Sequence, residues 1–173
     1  MKAIIQRCMN AQVSVNGEVV SKIGQGACVL IGISSKDNVK DMEFMVKKLL
    51  SIKLFDDDDG KKWKKSIVDK EFELLCVSQF TLCNTWKGNK PDFHLAMSSE
   101  QSKEFYENFI KLMKDKYNPD KVKGKYGVFG AYMQVSLQND GPVTLELESP
   151  VQNDNSKKAQ PVLTNTENGE ADR

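Results

Sequence analysis

The chain has 173 residues, with 25 basic and 24 acidic side chains and a formal net charge of +1. That balance excludes a general electrostatic attraction to nucleic acid, so any RNA contact must come from local basic clusters. The hydrophobic fraction of 39% and charged fraction of 28% are typical of a soluble globular protein, and no apolar run approaches the roughly 20 residues of a membrane helix.

Strands are predicted for the N-terminal third of the chain. Two alternating runs, KAIIQRC and AQVSVNGEVVSKIG, predict strands, and Asn16-Gly17 within the second is a strong two-residue hairpin signal. The continuous run GACVLIGIS predicts a strand buried on both faces. A helix then follows, with Asp37 or Asn38 as its N-cap. Its apolar face comprises Met42, Met45, Val46, Leu49 and Leu50.

The remainder alternates strand, loop and helix. FDDDDGKKWKK predicts a charged turn, EFELLCVSQFTL a strand, and CNTWKGNKPDF a loop. A second helix begins at Ser98, where Ser98 and Gln101 form a capping-box pattern. YGVFGAYMQVSLQ and VTLELE predict strands on either side of the sequence NDGP. Two helices among about seven strands, without strict βαβ alternation, predict an α+β fold with a largely antiparallel, barrel-like sheet.

Domain organisation follows from a change in pattern near residue 150. Residues 1–150 form one predicted domain, whereas residues 151–173 lose periodicity and contain no aromatic residue, which predicts a disordered polar tail. The four cysteines show no CxxC spacing and are interpreted as reduced core thiols. Because no secretory signal is evident, we expect a cytoplasmic protein.

Several charged or reactive groups are interpreted as structural or solvent-exposed residues rather than as functional sites. The run from Asp56 to Asp59 lacks the spacing of a calcium loop and predicts a solvated turn rather than a metal site. His94 is the only histidine, and a structural or surface role is favoured. No cofactor fingerprint is present. Two lysine clusters are interpreted as solvated surface, with phosphate contact as the alternative. They comprise Lys61, Lys62, Lys64 and Lys65 around Trp63, and Lys121, Lys123 and Lys125.

Two motifs are more informative. In the first, polar residues end an apolar strand, and alternation would place Ser78 and Phe80 on one face and Gln79 and Thr81 on the other. Such groups either bond to backbone or line a site. In the second, proline follows glycine directly in NDGP, where it removes a backbone donor. The proline either has an architectural role, as a trans proline that begins an edge strand, or has a chemical role.

These motifs resemble those of the D-aminoacyl-tRNA deacylases. VSQFTL and GAYMQVSLQNDGPVTLELESP carry the resemblance, and MKAIIQR, GKKWKKSIVDKEFELLCVSQFTL and KGNKPDFHLAM support it. Together they cover Met1 to about Pro150. The resemblance implies an α+β homodimer with active sites at the subunit interface. It also implies hydrolysis of the ester of D-aminoacyl-tRNA, and of mischarged glycyl-tRNA, with no cofactor.

The resemblance also implies roles for the motif residues. Gly141 and Pro142 form a cis peptide that reaches into the other subunit's pocket, where their carbonyl oxygens hold the substrate α-amino group and an L side chain would collide. The neighbouring Asn139 and Asp140 belong to the same motif. The 3′-terminal adenosine and the scissile carbonyl would face a second group. Met133 and Phe129 would lie beside the adenosine, with a place in the hydrophobic core as the alternative for both. The second group comprises Ser78, Gln79, Phe80 and Thr81.

The chemistry at the second group has two interpretations. Backbone N–H groups near Phe80 and Thr81 are sensible oxyanion donors, each worth about 2.7–4 kcal/mol. A threonine nucleophile needs a base that the sequence does not offer. We therefore favour attack by water assisted by the ribose 2′-hydroxyl of the tRNA, with Thr81 orienting the substrate.

Three alternatives compete with this interpretation. A sister deacylase would clear misacylated L-aminoacyl-tRNA, although both motifs stand intact here. A non-catalytic nucleic-acid-binding protein would use the lysine clusters and the tail. A Cys-His hydrolase would pair Cys76 or Cys83 with His94, and should survive substitution at Gly141.

Overall fold

A computed structural model describes residues 1–124 and 130–150. The predicted tail and Phe129 lie outside these residues. The elements run β1 (Lys2–Val15), β2 (Glu18–Ile23), β3 (Gly26–Gly32), α1 (Val39–Ser51), β4 (Glu73–Ser78), β5 (Thr85–Lys87), β6 (Lys90–Asp92), α2 (Ser99–Lys116), β7 (Val122–Lys123) and β8 (Met133–Glu148). Phe80–Cys83 forms a 3₁₀ turn. Among the described residues, no helix is both long and apolar enough to cross a bilayer.

Within residues 1–124 and 130–150, the main sheet has six strands and is organised around β1. This strand pairs antiparallel with β2 and β3 along one edge and with β8 along the other, and β3, β4 and β7 continue in parallel. The predicted α+β class, with a mostly antiparallel, barrel-like sheet and two helices, is confirmed. β5 and β6 form a separate two-stranded hairpin.

The predicted helix starts are confirmed, with one difference in capping. Asn38 caps α1 in a full capping box with Asp41. Ser98 precedes α2 as predicted, but its side chain makes no bond to the helix backbone. Instead, the Ser98 hydroxyl donates to Oε1 of Gln101 at 2.9 Å, so the expected reciprocal capping box is absent there.

The apolar patterns account for the core. β3 is almost entirely buried, as a continuous β-branched run predicts, because α1 and α2 cover one side of the sheet. Phe109, Met45 and Met113 are fully buried on this side. A smaller cluster that includes Cys8, Val13 and other residues is packed against partly buried Met133 and Leu137 of β8.

β8 differs from the prediction of two strands joined by a turn. It is one strand that pairs with β1 both before and after the NDGP segment, from Met133 opposite Val15 to Glu148 opposite Lys2. The register shifts at Cys8, where β8 accommodates extra residues as a bulge. The long partner strand, which local sequence does not reveal, keeps both halves of β8 in one ladder.

Candidate active site

The strand predicted through SQFTL ends early. β4 stops at Ser78, and the Gln79 N–H donates to the carbonyl oxygen of Ile31 at 2.7 Å. The 3₁₀ turn then begins at Phe80, so the predicted alternation of side chains over these residues is wrong. Gly32 permits this turn to pack on the end of β3, because a Cβ there would lie 2.7 Å from Cβ of Leu82.

The turn leaves two successive backbone donors free. Within the described residues, the N–H groups of Phe80 and Thr81 donate to no backbone or side-chain acceptor. The first N–H groups of a helical turn have no partner inside the turn, which explains why these two are available. Such donors can stabilise negative charge that develops on a carbonyl oxygen.

Thr81 is oriented by its neighbours. Nε2 of Gln79 donates to Oγ1 of Thr81 at 2.5 Å, and Nδ2 of Asn84 donates to the Thr81 carbonyl oxygen at 2.8 Å. Among the described residues, no carboxylate or imidazole bonds to the Thr81 hydroxyl. Because a hydroxyl nucleophile requires an adjacent base, this arrangement suits positioning better than nucleophilic attack.

A cavity of about 490 Å³ adjoins the turn, a volume within the range of small-molecule sites. Ser78, Gln79, Phe80 and Met133 all line it, so four of the predicted site residues meet here. The rest of the lining is mostly apolar. It includes Val13, Val15, Val20, Met97, Tyr106 and Val135.

The NDGP segment lies elsewhere on the same strand. Asn139 stands opposite Cys8, whereas Met133 stands opposite Val15. At about 3.4 Å per residue these positions are roughly 24 Å apart along β1. The Gly141-Pro142 peptide is cis, and Gly141, Pro142 and Asn139 are exposed. None of the residues from Asn139 to Pro142 lines the cavity, so among the described residues the two predicted groups do not meet in one pocket.

Arg7 holds the NDGP segment in place, a role that sequence reasoning missed. Nε of Arg7 lies 3.2 Å from both the carbonyl oxygen and Oδ2 of Asp140, and Nη1 donates to the Leu54 carbonyl oxygen at 2.7 Å. Only 12% of the Arg7 side chain is exposed. The one sequence signal is a cation in phase with the buried residues Ala3 and Ile5 of an alternating strand, which does not reveal its partner.

The Cys-His hydrolase interpretation finds no support in the geometry. Cys76 and Cys83 are buried, and burial raises the pKa of the Cys76 thiol to about 12 and raises that of Cys83 as well. Nδ1 of His94 lies 2.9 Å from Asp92, and the imidazole is exposed. The thiolate that nucleophilic attack requires is therefore strongly disfavoured at neutral pH.

We expect the native protein to leave its thiols unmodified by a disulfide reagent at pH 8. All four cysteines are free and buried, and burial raises the thiol pKa values, so the reactive thiolate is scarce and inaccessible. Absorbance of the released thiolate should show four equivalents only after denaturant is added. Rapid release of one equivalent from folded protein would contradict this account of the thiols.

Acidic and basic side chains of the charged turn FDDDDGKKWKK form ion pairs with each other. Lys62 forms an ion pair with Asp56 at 2.6 Å, and Lys61 lies 4.0 Å from Asp59. Within residues 1–124 and 130–150, no group of three metal-ligating side chains is suited to hold an ion. These pairings reduce the positive charge that the first lysine cluster could offer to phosphate. Lys125 of the second cluster lies outside the described residues.

Comparisons with known proteins identify a matching family and several similar proteins. The family described as D-Tyr-tRNA(Tyr) deacylase matches residues 4–148. The chain is 56% identical over 150 residues to D-aminoacyl-tRNA deacylase 1 of Mus musculus, covering 87% of this chain and 71% of the relative. It is 51% identical to the D-aminoacyl-tRNA deacylase of Drosophila melanogaster over 158 residues, covering 91% and 98% respectively.

Two solved structures are similar as well. One described as c-Myc DNA Unwinding Element Binding Protein has a TM-score of 0.82 and 56% identity, and the match covers 87% of this chain and 99% of that one. Another, described as a probable eukaryotic D-amino acid tRNA deacylase, has a TM-score of 0.68 over 85% and 98% of the two chains. At 20% identity, this second similarity concerns the fold alone.

Proposed function

The chain belongs to the D-Tyr-tRNA(Tyr) deacylase family, and on that premise we propose that it hydrolyses the ester of D-aminoacyl-tRNA to free D-amino acid and tRNA. The observation that carries the chemistry is the pair of N–H groups at Phe80 and Thr81, which have no acceptor among the described residues, in a turn whose first residue, Phe80, lines a cavity of about 490 Å³. These donors would bind the oxyanion as water attacks the ester carbonyl. The 3′-terminal adenosine would occupy the apolar cavity beside Met133.

Attack by water needs a base, which the substrate would supply. Because the hydroxyl of Thr81 has no acidic or imidazole partner among the described residues, we assign a proton relay to the ribose 2′-hydroxyl next to the ester: it accepts a proton from the attacking water and gives its own to the departing 3′-oxygen. Gln79 and Thr81, bonded to each other, would orient the substrate. Ser78 would contact it from the end of β4.

Chiral selection is the part of the proposal that requires a second subunit. The segment Asn139–Pro142, exposed apart from half-buried Asp140, does not line the cavity of its own chain, so it would serve the cavity of a partner in a homodimer. There the carbonyl oxygens of Gly141 and Pro142 would accept hydrogen bonds from the substrate α-amino group. An L side chain would then point into the motif, whereas glycine would fit, so glycyl-tRNA would also be a substrate.

Hydrolysis of D-tyrosyl-tRNA and L-tyrosyl-tRNA, measured side by side at equal low enzyme concentration, tests the function. We expect rapid loss of the D ester and none of the L ester above the spontaneous rate. Loss of both would leave a deacylase but would contradict the chiral filter. Loss of neither by folded protein, together with tight binding of uncharged nucleic acid, would favour the binding role that the name of the DNA-element-binding relative describes for that protein.

Substitution of Thr81 separates the two interpretations of its hydroxyl. We expect Thr81→Ala to lower the single-turnover rate by about tenfold or less, because it removes an orienting hydrogen bond worth about 0.5–1.5 kcal/mol. Thr81→Ser should restore the wild-type rate. Removal of a true nucleophile lowers kcat by about 10⁶-fold in a serine protease. A loss of that size in Thr81→Ala would reject the role of the ribose hydroxyl.

A further inference from the structure

The hairpin of β5 and β6 exposes an aromatic side chain that the fold does not explain. The hairpin pairs only three residues on each side and stands apart from the main sheet. Trp86 is 69% exposed. Since a two-stranded hairpin is at best marginally stable alone, burial of a large indole would stabilise it. The indole is left in solvent instead.

Two lysines of the hairpin are also placed unfavourably for its stability. Lys87 and Lys90 are directly opposite each other across the hairpin. Like charges in that position destabilise a strand pair. Lys87 forms an ion pair with Asp92, whereas Lys90 has no acidic partner among the described residues. An anion bound near the hairpin turn would relieve this repulsion.

The hairpin is anchored at the mouth of the candidate active site. β5 begins two residues after the 3₁₀ turn ends at Cys83, and β6 leads directly into Phe93. The ring of Phe93 packs edge-on against that of Phe80, with centroids 5.2 Å apart. Phe80 itself lines the cavity. At about 3.4 Å per residue, each hairpin strand spans only about 10 Å, comparable to one or two nucleotides.

We propose that this hairpin binds the unpaired nucleotides that precede the 3′-terminal adenosine of the tRNA. An exposed indole beside lysines is the combination that binds single-stranded nucleic acid: the ring stacks on a base and the cations contact phosphates. Stacking does not depend on base identity, so it suits an enzyme that accepts many tRNAs. This inference rests on the proposed function, because it requires the terminal adenosine to occupy the cavity.

Two substrates isolate the contribution of the hairpin. One is D-tyrosyl-tRNA, and the other is 3′-O-D-tyrosyl-adenosine, which has the same ester but no preceding nucleotides. We expect Trp86→Ala to lower kcat/KM on the tRNA by about tenfold, through KM rather than kcat, since stacking of one base contributes about that factor. Hydrolysis of the adenosine ester should not change, and Trp86→Phe should recover most of the loss on tRNA.

Lys90→Ala should reduce the dependence of kcat/KM on salt. Loss of one phosphate contact to a single strand changes the slope of log(kcat/KM) against log[salt] by about 0.7. Lys40→Ala, on the exposed first turn of α1, is the matched control and should keep the wild-type slope.

The outcomes separate the two proposals. Equal kcat/KM of wild type and Trp86→Ala on the tRNA would overturn the role of the hairpin, and so would equal losses on both substrates. A change in elution volume of Trp86→Ala on gel filtration would assign the indole to a contact between copies of the chain, which also overturns it. Wild-type protein that hydrolyses neither D ester would instead overturn the proposed function itself.

Discussion

Gly141→Ala should lower kcat/KM on D-tyrosyl-tRNA by about 100-fold while the protein remains folded. Gly141 has a φ of +116°, a region that L side chains rarely adopt. A Cβ would also lie 3.0 Å from Cγ2 of Val143 and 3.1 Å from Nη2 of Arg7. Relief of this strain moves the carbonyl oxygens that we assign to the substrate amine, and a displacement of 1 Å can cost about 10²-fold in rate.

A matched variant distinguishes local strain from an effect on the site. Gly17 also has a positive φ, of +84°, in the exposed turn between β1 and β2, and a Cβ there would meet nothing within 4 Å. Gly17→Ala should lower the free energy of unfolding by about 1 kcal/mol, through the positive φ alone, and leave kcat/KM unchanged. If both variants keep wild-type activity, the NDGP segment does not contact substrate. A Cys-His hydrolase would give that result.

The parts of the fold that local patterns encode were predictable. Asn16-Gly17 specified the first hairpin, because both residues tolerate positive φ, and the apolar run of β3 indicated burial on both faces. α1 was recognisable from its periodicity and from Asn38 as its cap. In each case the information lies within a few consecutive residues.

The errors arose where distant residues decide the local structure. SQFTL reads as continuous strand, but the bond from Gln79 to Ile31 and the space left by Gly32 turn it into a 3₁₀ turn. The two halves of β8 read as separate strands because nothing in NDGP reveals that β1 pairs with both. Of the site residues, Ser78, Gln79, Phe80 and Met133 meet at one cavity.

The role of Arg7 could not be predicted from the sequence for the same reason. Its partners lie 47 and 133 residues away along the chain. A guanidinium presents several donors in a fixed plane, so a single side chain can hold two backbone carbonyl groups that belong to different segments. Arg7 thereby links Leu54 to Asp140. We regard it as a positioning residue for the chiral motif.

Arg7→Ala should therefore impair both stability and selectivity. Hydrogen bonds from a charged donor contribute about 1.5–3 kcal/mol each, and the carbonyl group of buried Leu54 would lose this partner, so we expect the free energy of unfolding to fall by about 2–3 kcal/mol. On D-tyrosyl-tRNA, kcat/KM should fall by about 30–100-fold, because the released motif no longer holds the substrate amine in register. Arg7→Lys should recover only part of either property, since an ammonium group cannot match the planar contacts.

The ratio of D-ester to L-ester hydrolysis distinguishes positioning from simple destabilisation. A merely less stable enzyme, measured well below its melting temperature, keeps its ratio, whereas a displaced chiral motif loses discrimination as well as rate. Asp140→Asn is the internal comparison, because it keeps the backbone carbonyl that accepts from Arg7 and removes only a partly exposed ion pair. Such pairs contribute about 0–1 kcal/mol, so this variant should stay within about fivefold of wild type. If Arg7→Ala keeps the wild-type ratio while Asp140→Asn loses it, the carboxylate of Asp140 rather than the anchored backbone governs selectivity, and the positioning role assigned to Arg7 is wrong.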